Sequence, residues 1–518
     1  MNGSTFDDVN LYLTEVFAHQ ARRAPDKPAI VCAGVTTTWR AFDLALNRFA
    51  NALLGAGLAK GERAAVLMSP GTECVVAMFG IVRAGCVLVP CGTMLSREQL
   101  GTLLANSGAR MVFATAEFAA DLQAVTAGLD DVRLVAVGFE AQGWTSWAEF
   151  HAGSSEAAPA VAFAPLDPFS IMYSSGTTGL PKGVVHSQRA RTYFAVSNTI
   201  EMRFDSSSVT AITTALYTAA SWLMLVPTLF AGGTVHLLQR FDCEGLLRTI
   251  ERERITHTFV VPSQIIMLLE SGLLSRFELA SLRTILSAGS PLRPDVKTSW
   301  LRHAGQAFHE LYGFTEGAAT LLKPADHERK FMSVGAPLLG TEFVVVGAND
   351  RPVAPGEAGE LCGRCPGLMT AYHDNPPATE AAIWRDEQGR SFMRSGDIGR
   401  MDEDGFVYIL DRKKDMIISG GLNVYPTDLE AVFGEHPAVS DVSVIGIPHE
   451  KWGETPLACI VRSADADASL DEILAWANAR LAKYQRVHQA VLMSELPRNA
   501  LGKVLKRELR ALHAGETT

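Results

Sequence analysis

The chain has 518 residues, enough for about three units of ordinary domain size. With 47% hydrophobic and 20% charged residues it can bury a large core, which excludes a disordered protein. A formal net charge of −10 without any Lys/Arg block argues against nucleic-acid binding, and eight scattered cysteines suit reduced, buried thiols in a cytoplasmic protein.

In chain order, "MNGSTFDDVNLYLTEVF" lacks the basic and apolar regions of a signal peptide. "TEVFAHQARRAP" has helical spacing, "KPAIVCAG" reads as a strand before a turn, and "AFDLALNRFANALLGAG" is an amphipathic helix stopped by glycine. "ERAAVLMS" and "CVLVP" are short apolar runs that suit strands buried on both faces of a parallel sheet. Alternation of this kind predicts α/β architecture. "HAGSSEAAPAVA" (151–162) reads as a linker. Residues 206–239 contain no Asp, Glu, Lys or Arg, yet Pro227 and the Gly232-Gly233 pair interrupt them. A buried helix followed by a strand fits better than a membrane span.

From about residue 345, "TEFVVVG", "GELCGR", "RSGDIGRMD" and "GFVYILDR" predict a β-rich subdomain. In the longer stretch "GELCGRCPG" Cys362 and Cys365 form the one CxxC, which reads as strand residues rather than half a zinc site, because no second pair occurs. Past "DRKKDMI" the strands "AVSDVSVIGIP" and "PLACIVRS" and the helix "SLDEILAWANARL", with Ser469 and Glu472 as a capping box, predict a small α+β domain. The fold class expected is a large N-terminal domain of parallel-sheet α/β layers with a β-rich subdomain (1–412), then a small mobile α+β domain (413–518).

Between the linker and the charge-free run lies "YSSGTTGLPKG" (173–183), with three glycines, two serines, two threonines and one lysine. Pro181 and Gly183 break the P-loop pattern GxxxxGK[ST]. The physics is still that of an anion nest: glycines let successive N–H groups turn inward, hydroxyls add donors and Lys182 adds charge. Downstream, "YGFTEG" (312–317) sets an aromatic, a hydroxyl and a carboxylate side by side. "RSGDIG" (394–399) offers Asp397 to vicinal hydroxyls. "LDRKKDMIISGGLNVYP" (410–426) and "LPRNALGKVLKREL" (496–509) follow.

Taken in order, these motifs resemble the adenylate-forming superfamily of acyl-CoA synthetases, luciferases and peptide-synthetase adenylation domains, over about residues 12–510. The resemblance implies a two-step reaction with ATP and Mg²⁺, giving acyl-AMP and pyrophosphate, then a thioester with coenzyme A as co-substrate. It implies that Ser174, Ser175, Gly176, Thr177, Thr178, Gly179 and Lys182 cradle the β- and γ-phosphates. Ala288, Gly289 and Ser290, with Tyr312 and Gly313, would form the adenine pocket. Thr315 would meet the α-phosphate, Glu316 the metal, and Asp397 and Arg412 the ribose. Lys503 would bridge the acid and the α-phosphate, so that Lys503, Thr178 and Glu316 carry catalytic work. Lys414 would be the hinge between two orientations of the small domain, with Ser419, Gly420 and Gly421 lining the thiol tunnel. Tyr217, Ser221, Trp222, Phe314 and Gly317 would line the acyl pocket.

The chain departs from that pattern at Tyr217-Thr218, where relatives carry Phe-His, and at "YQRVH" (484–488). No carboxylate near 215–221 could pair an α-ammonium, so amino acids are poor substrates. The expected enzyme is a ligase for a hydrophobic aryl, alicyclic or medium-chain acid, without a transmembrane segment, and a homodimer is compatible. The rivals are an acyl-AMP ligase that loads a carrier protein and a non-catalytic binding protein of the same fold.

Overall fold

A computed structural model of the chain describes residues 10–129, 131–174, 182–419, 422–450, 452–463, 466–498 and 502–513. Two large sheets dominate the N-terminal part. In the first, the strands Phe308–Gly313, Thr284–Ala288, His257–Phe259, Val209–Ile212, Thr234–Leu237 and Pro28–Cys32 lie side by side and parallel. Antiparallel strands close both edges of this run. In the second, Pro168–Ser174, Val87–Pro90, Arg63–Leu67, Met111–Thr115 and Arg133–Val137 are parallel neighbours. Parallel pairing needs crossover connections, and the intervening helices supply them.

Helices pack on the sheet faces to form one large apolar cluster and two smaller ones, which explains the apolar runs. Every residue of the helix Thr72–Arg83 from Cys74 onward is buried. The charge-free stretch becomes the strand Val209–Ile212, the helix Ala219–Ala231 and the strand Thr234–Leu237. That helix is buried from Ala220 to Leu229, so a membrane reading is unnecessary. No described helix is long and apolar enough to cross a bilayer. The segment read as a linker is pinned to the helix Trp39–Gly55: Asn47 donates to the carbonyl of Glu156, and Asn51 to those of Ser155 and Ala157.

The β-rich part is an antiparallel sheet of Glu342–Val346, Gly359–Arg364, Ser391–Met401, Ile383–Arg385 and Val407–Arg412. Cys362 packs with Val346, Trp384 and Phe392, whereas Cys365 lies past the strand and faces the carbonyl of Gly317, so the two thiols do not form one site. A last sheet, built on the long hairpin Val439–His449 and Gly453–Arg462, forms the small domain. Its helix Leu470–Asn478 begins with both bonds of the Ser469–Glu472 capping box.

One glycine is dictated by packing. Gly335 has φ +98, and a Cβ there would fall 1.9 Å from the Leu321 carbonyl carbon. Gly335→Ala is expected to cost at least about 2 kcal/mol, because the backbone itself must shift. Gly55→Ala, at a helix end with open space around it, is expected to be neutral or slightly stabilising. Paired thermal melts check both; equal melting temperatures for the two variants would contradict the packing argument.

Candidate active site

The strands Thr284–Ala288 and Phe308–Gly313 end side by side, and their C-terminal ends carry the segments 287–291 and 312–317. Loops at the carboxyl ends of parallel strands are where such sheets bind ligands. Ala288 and Ser290 are half-buried, Gly289 is exposed with φ +97, and the hydroxyl of Ser287 beside them is buried without a hydrogen-bond partner among the described residues.

The sheet end meets the β-rich subdomain through one carboxylate. Asp397 is 3% exposed. Its Oδ2 accepts from the Tyr312 hydroxyl at 2.7 Å, and its Oδ1 pairs with Arg412 Nε at 2.7 Å. Asp397 and Arg412 are cross-strand partners, so the pair is set by register. Burial, and then the Asp397 charge, push the Tyr312 phenol well above its usual range, so it acts as a donor. Each carboxylate oxygen keeps a free lone pair for a further donor such as a sugar hydroxyl.

Lys503 enters this cleft from the small domain. Burial and the neighbouring Arg412 charge lower its ammonium to about 8, while Asp397 and Asp415 oppose the shift. The turn carrying it packs on the large domain: a Cβ at Gly502 would meet Ser263 Oγ at 3.0 Å, at the start of the helix Pro262–Glu270. Lys414 is exposed in the turn between the strands Val407–Arg412 and Ile417–Ser419. Contacts hold the residues leading into that turn. Lys413 Nζ pairs with Glu360 at 2.9 Å, and Asp411 accepts from the N–H and hydroxyl of Thr427, at 3.0 and 3.2 Å.

The glycine-rich loop joins Pro168–Ser174 to Lys182–Ser187, an antiparallel pair with Ser174 opposite Lys182. It is thus a hairpin tip, not the strand-to-helix turn of a P-loop. Ser175, Gly176, Thr177, Thr178 and Gly179, the side chain of Ser174, and Gly420 and Gly421 lie outside the described residues. Lys182 places its ammonium 4.8 Å from the centre of the Tyr372 ring, and the Tyr372 hydroxyl donates to Glu316 Oε1 at 2.5 Å. Tyr372 was not foreseen from the sequence; its "TAYHDNP" context is an ordinary turn, and only the pairing of Ala371-Tyr372 with Val185-Val184 brings it to Glu316. One carboxylate, without a cluster of three ligands among the described residues, fits Mg²⁺, which takes most of its oxygens from phosphates and water.

Of the acyl-pocket residues, Tyr217, Phe314 and Gly317 are partly exposed. Gly317 has φ +135 and abuts the Gly367 carbonyl, so no side chain fits. Ser221 and Trp222 are fully buried. The Ser221 hydroxyl is bonded to the Ala215 carbonyl at 2.8 Å, and Trp222 Nε1 donates to the Leu216 carbonyl at 2.8 Å. Both spend their polar atoms inside the core, so an acyl group could meet them only through apolar surface.

Strand ends that carry a buried carboxylate, approached by a lysine from a second domain, are the arrangement expected of the adenylate-forming class. Comparison supports it over nearly the full length. The model of AMP-binding enzymes matches residues 17–373, and that of the AMP-binding enzyme C-terminal domain matches 428–503. The indoleacetate–CoA ligase of Aromatoleum aromaticum is 34% identical over 98% of this chain and 99% of its own. A feruloyl-CoA synthase of Amycolatopsis is also 34% identical, over 95% of this chain and 97% of its own. The crystal structure of ATP-bound MatB from Rhodopseudomonas palustris superposes with a TM-score of 0.88 at 28% identity, covering 98% of this chain and 99% of MatB. The chain belongs to the AMP-binding enzyme family.

Because Tyr312 is one of two groups holding Asp397, Tyr312→Phe is expected to weaken AMP binding about three- to tenfold, the net worth of one typical hydrogen bond. Calorimetric titration with AMP measures it; an unchanged affinity would remove Tyr312 from the site.

Proposed function

We propose that the chain is an ATP-dependent, AMP-forming acid–CoA ligase acting on a hydrophobic carboxylic acid, with aryl acids foremost. The observation that carries this reading is the position of Lys503 beside the Asp397–Arg412 pair, where a cation from the small domain can meet both an acid and the α-phosphate.

In the first step a carboxylate oxygen attacks the α-phosphorus and the bond to pyrophosphate breaks. Little covalent work falls to the protein, so positioning and charge neutralisation dominate. The hairpin residues 174–182 grip the β- and γ-phosphates, with Thr178 as a donor and Lys182 at the base. Residues 288–290, Tyr312 and Gly313 hold adenine. Asp397 accepts from the ribose hydroxyls, held in place by its pair with Arg412. Thr315 meets the α-phosphate, and Glu316, oriented by Tyr372, would hold Mg²⁺. When bound, that ion would neutralise phosphate charge. In the second step the sulfur of CoA attacks the acyl carbon, the bond to AMP breaks, and the thiol proton is lost to solvent.

The second step needs Lys503 withdrawn and the segment 419–421 brought in, by rotation at Lys414 between a large domain ending at Arg412 and a small one after it. Ile418 and Leu422, which flank that segment, and Trp452 near it are about half exposed, as a face awaiting a partner surface would be. Tyr217 and Phe314 give the acyl pocket aromatic walls, with Trp222 as its floor. The two relatives named above for an indoleacetate and a feruloyl substrate favour aryl acids. The free thiols and the need for ATP and CoA suit the cytoplasm.

A panel of aryl, alicyclic and medium-chain acids with ATP, Mg²⁺ and CoA tests the reading: AMP release should require both acid and CoA. Acyl-AMP that accumulates regardless of CoA would point to a carrier-loading ligase instead. Lys503→Ala should lower acid-dependent ATP–pyrophosphate exchange about 10²- to 10³-fold while sparing CoA transfer from supplied acyl-AMP; equal loss in both would sink the two-orientation mechanism. With its ammonium lowered to about 8, Lys503 is charged below that pH and neutral above it. Exchange measured as kcat/KM for ATP should therefore fall as pH rises through about 8, and Lys503→Arg should shift that limb upward. An unshifted limb would assign it to another group.

A further inference from the structure

Behind the phosphate hairpin lies a buried cation. Arg191, on the helix Gln188–Glu201, is 4% exposed and shares its face with Ala195 and Asn198. Its guanidinium lies 4.9 Å from the Trp222 ring centre and 5.5 Å from that of Phe194. Burial alone lowers it, to about 9, with no neighbouring carboxylate among the described residues to offset the cost. Its Nε has no hydrogen-bond partner among them either. A charge kept in a core without a counter-ion is expensive, and an apolar residue would ordinarily serve packing better.

What Arg191 does make is two directed contacts, both to the strands of the hairpin. Nη2 faces Nδ1 of His186 at 3.0 Å and lies 2.6 Å from the sulfur of Met172. Met172 is on the strand entering the hairpin and His186 on the strand leaving it. His186 is 1% exposed, and its Nε2 sits 2.9 Å from the carbonyl oxygen of Thr315. A guanidinium can only donate, so Nδ1 must accept. A carbonyl can only accept, so Nε2 must carry the proton. A single neutral tautomer satisfies both, and burial together with the Arg191 charge holds the ring neutral, well below the usual histidine range.

We propose that Arg191 and His186 are positioning residues for adenylation: Arg191 fixes His186 in its Nε2–H tautomer, and His186 holds the Thr315 carbonyl. The relay locks the base of the phosphate hairpin to the 312–317 segment, so the groups gripping departing pyrophosphate and those meeting the α-phosphate keep one spacing. It rests on the roles given above to Thr315 and Glu316. A displacement of about 1 Å between such groups is enough to slow an in-line transfer a hundredfold.

Two measurements test it. In full-length enzyme labelled with ¹⁵N-histidine, the His186 signals, assigned against His186→Gln, should show a neutral Nε2–H ring, and Arg191→Met should erase that preference. A wild-type ring protonated at Nδ1 would overturn the relay. In kinetics, His186→Leu should lower kcat for acid-dependent ATP–pyrophosphate exchange about ten- to a hundredfold. KM for ATP should move less, and CoA transfer from supplied acyl-AMP should stay within about twofold of wild type. His186→Gln, which keeps a donor and an acceptor, should recover most of the loss. Unchanged exchange in a folded His186→Leu enzyme, or equal loss in both half-reactions, overturns the proposal. So does an Arg191→Met enzyme that changes which acids are accepted while keeping its exchange rate. Wild-type enzyme silent toward every acid would instead sink the reaction assigned above, and with it the catalytic half of this inference, while the nitrogen spectrum still decides the relay.

Discussion

The carboxylate of Asp397 is where the parts of this molecule meet. Tyr312 reaches it from the end of the parallel sheet and Arg412 from the last strand of the β-rich subdomain, and Lys503 of the small domain lies within reach of its charge. A carboxylate this buried is costly unless its oxygens are satisfied. Satisfying them ties the three modules to one another. The same geometry leaves lone pairs open for a ribose, so the structural pairing and the proposed ligand contact use one group. Arg412 also ends the strand that leads into the turn at Lys414, the hinge of the proposed mechanism.

Under the proposed mechanism the electrostatics around that point serve a cation that must leave between the two steps. Burial and Arg412 both lower the Lys503 ammonium, against the opposing charges of Asp397 and Asp415. Triphosphate charge would reverse that balance and hold it. A compact ammonium suits this task better than a guanidinium, whose fork would bind a phosphate in two places. On the opposite side of the cleft, Lys182, Tyr372 and Glu316 form a second meeting of distant segments, with the aromatic ring between cation and carboxylate.

The hairpin origin of the glycine-rich loop separates it from nucleotide loops that open a helix. In a P-loop the helix N-terminus contributes fixed dipoles. Here the loop joins two antiparallel strands and its flanks are braced by side chains beneath, among them Met172 and His186. Under the proposed function, the segment between these strands would hold the phosphate chain and release it as pyrophosphate departs.

Much of this was legible in the sequence, because local patterns carry local structure. The short apolar runs became parallel strands, the charge-free stretch a buried helix and strand, and Ser469 with Glu472 a capping box, since each depends on spacing within a few residues. Motif order brought the family into view, and from it the residues named for ATP; the loop 175–179 and Gly420-Gly421 lie outside the described residues. Other features needed the folded chain. Tyr372 sits in an unremarkable turn and meets Glu316 only through strand pairing. Trp222 and Ser221 turn their polar atoms into the core, a choice made by packing. Arg191 occupies a helix position whose spacing marks it as buried, yet its partner His186 is identified only where helix and hairpin touch. The sequence by itself determined which segments form helices and strands and which chemistry they carry, because propensity and periodicity act over short range. Only the tertiary structure decided which distant side chains share a carboxylate or a tautomer, because hydrogen bonds are set by ångström-scale proximity that no spacing along the chain encodes.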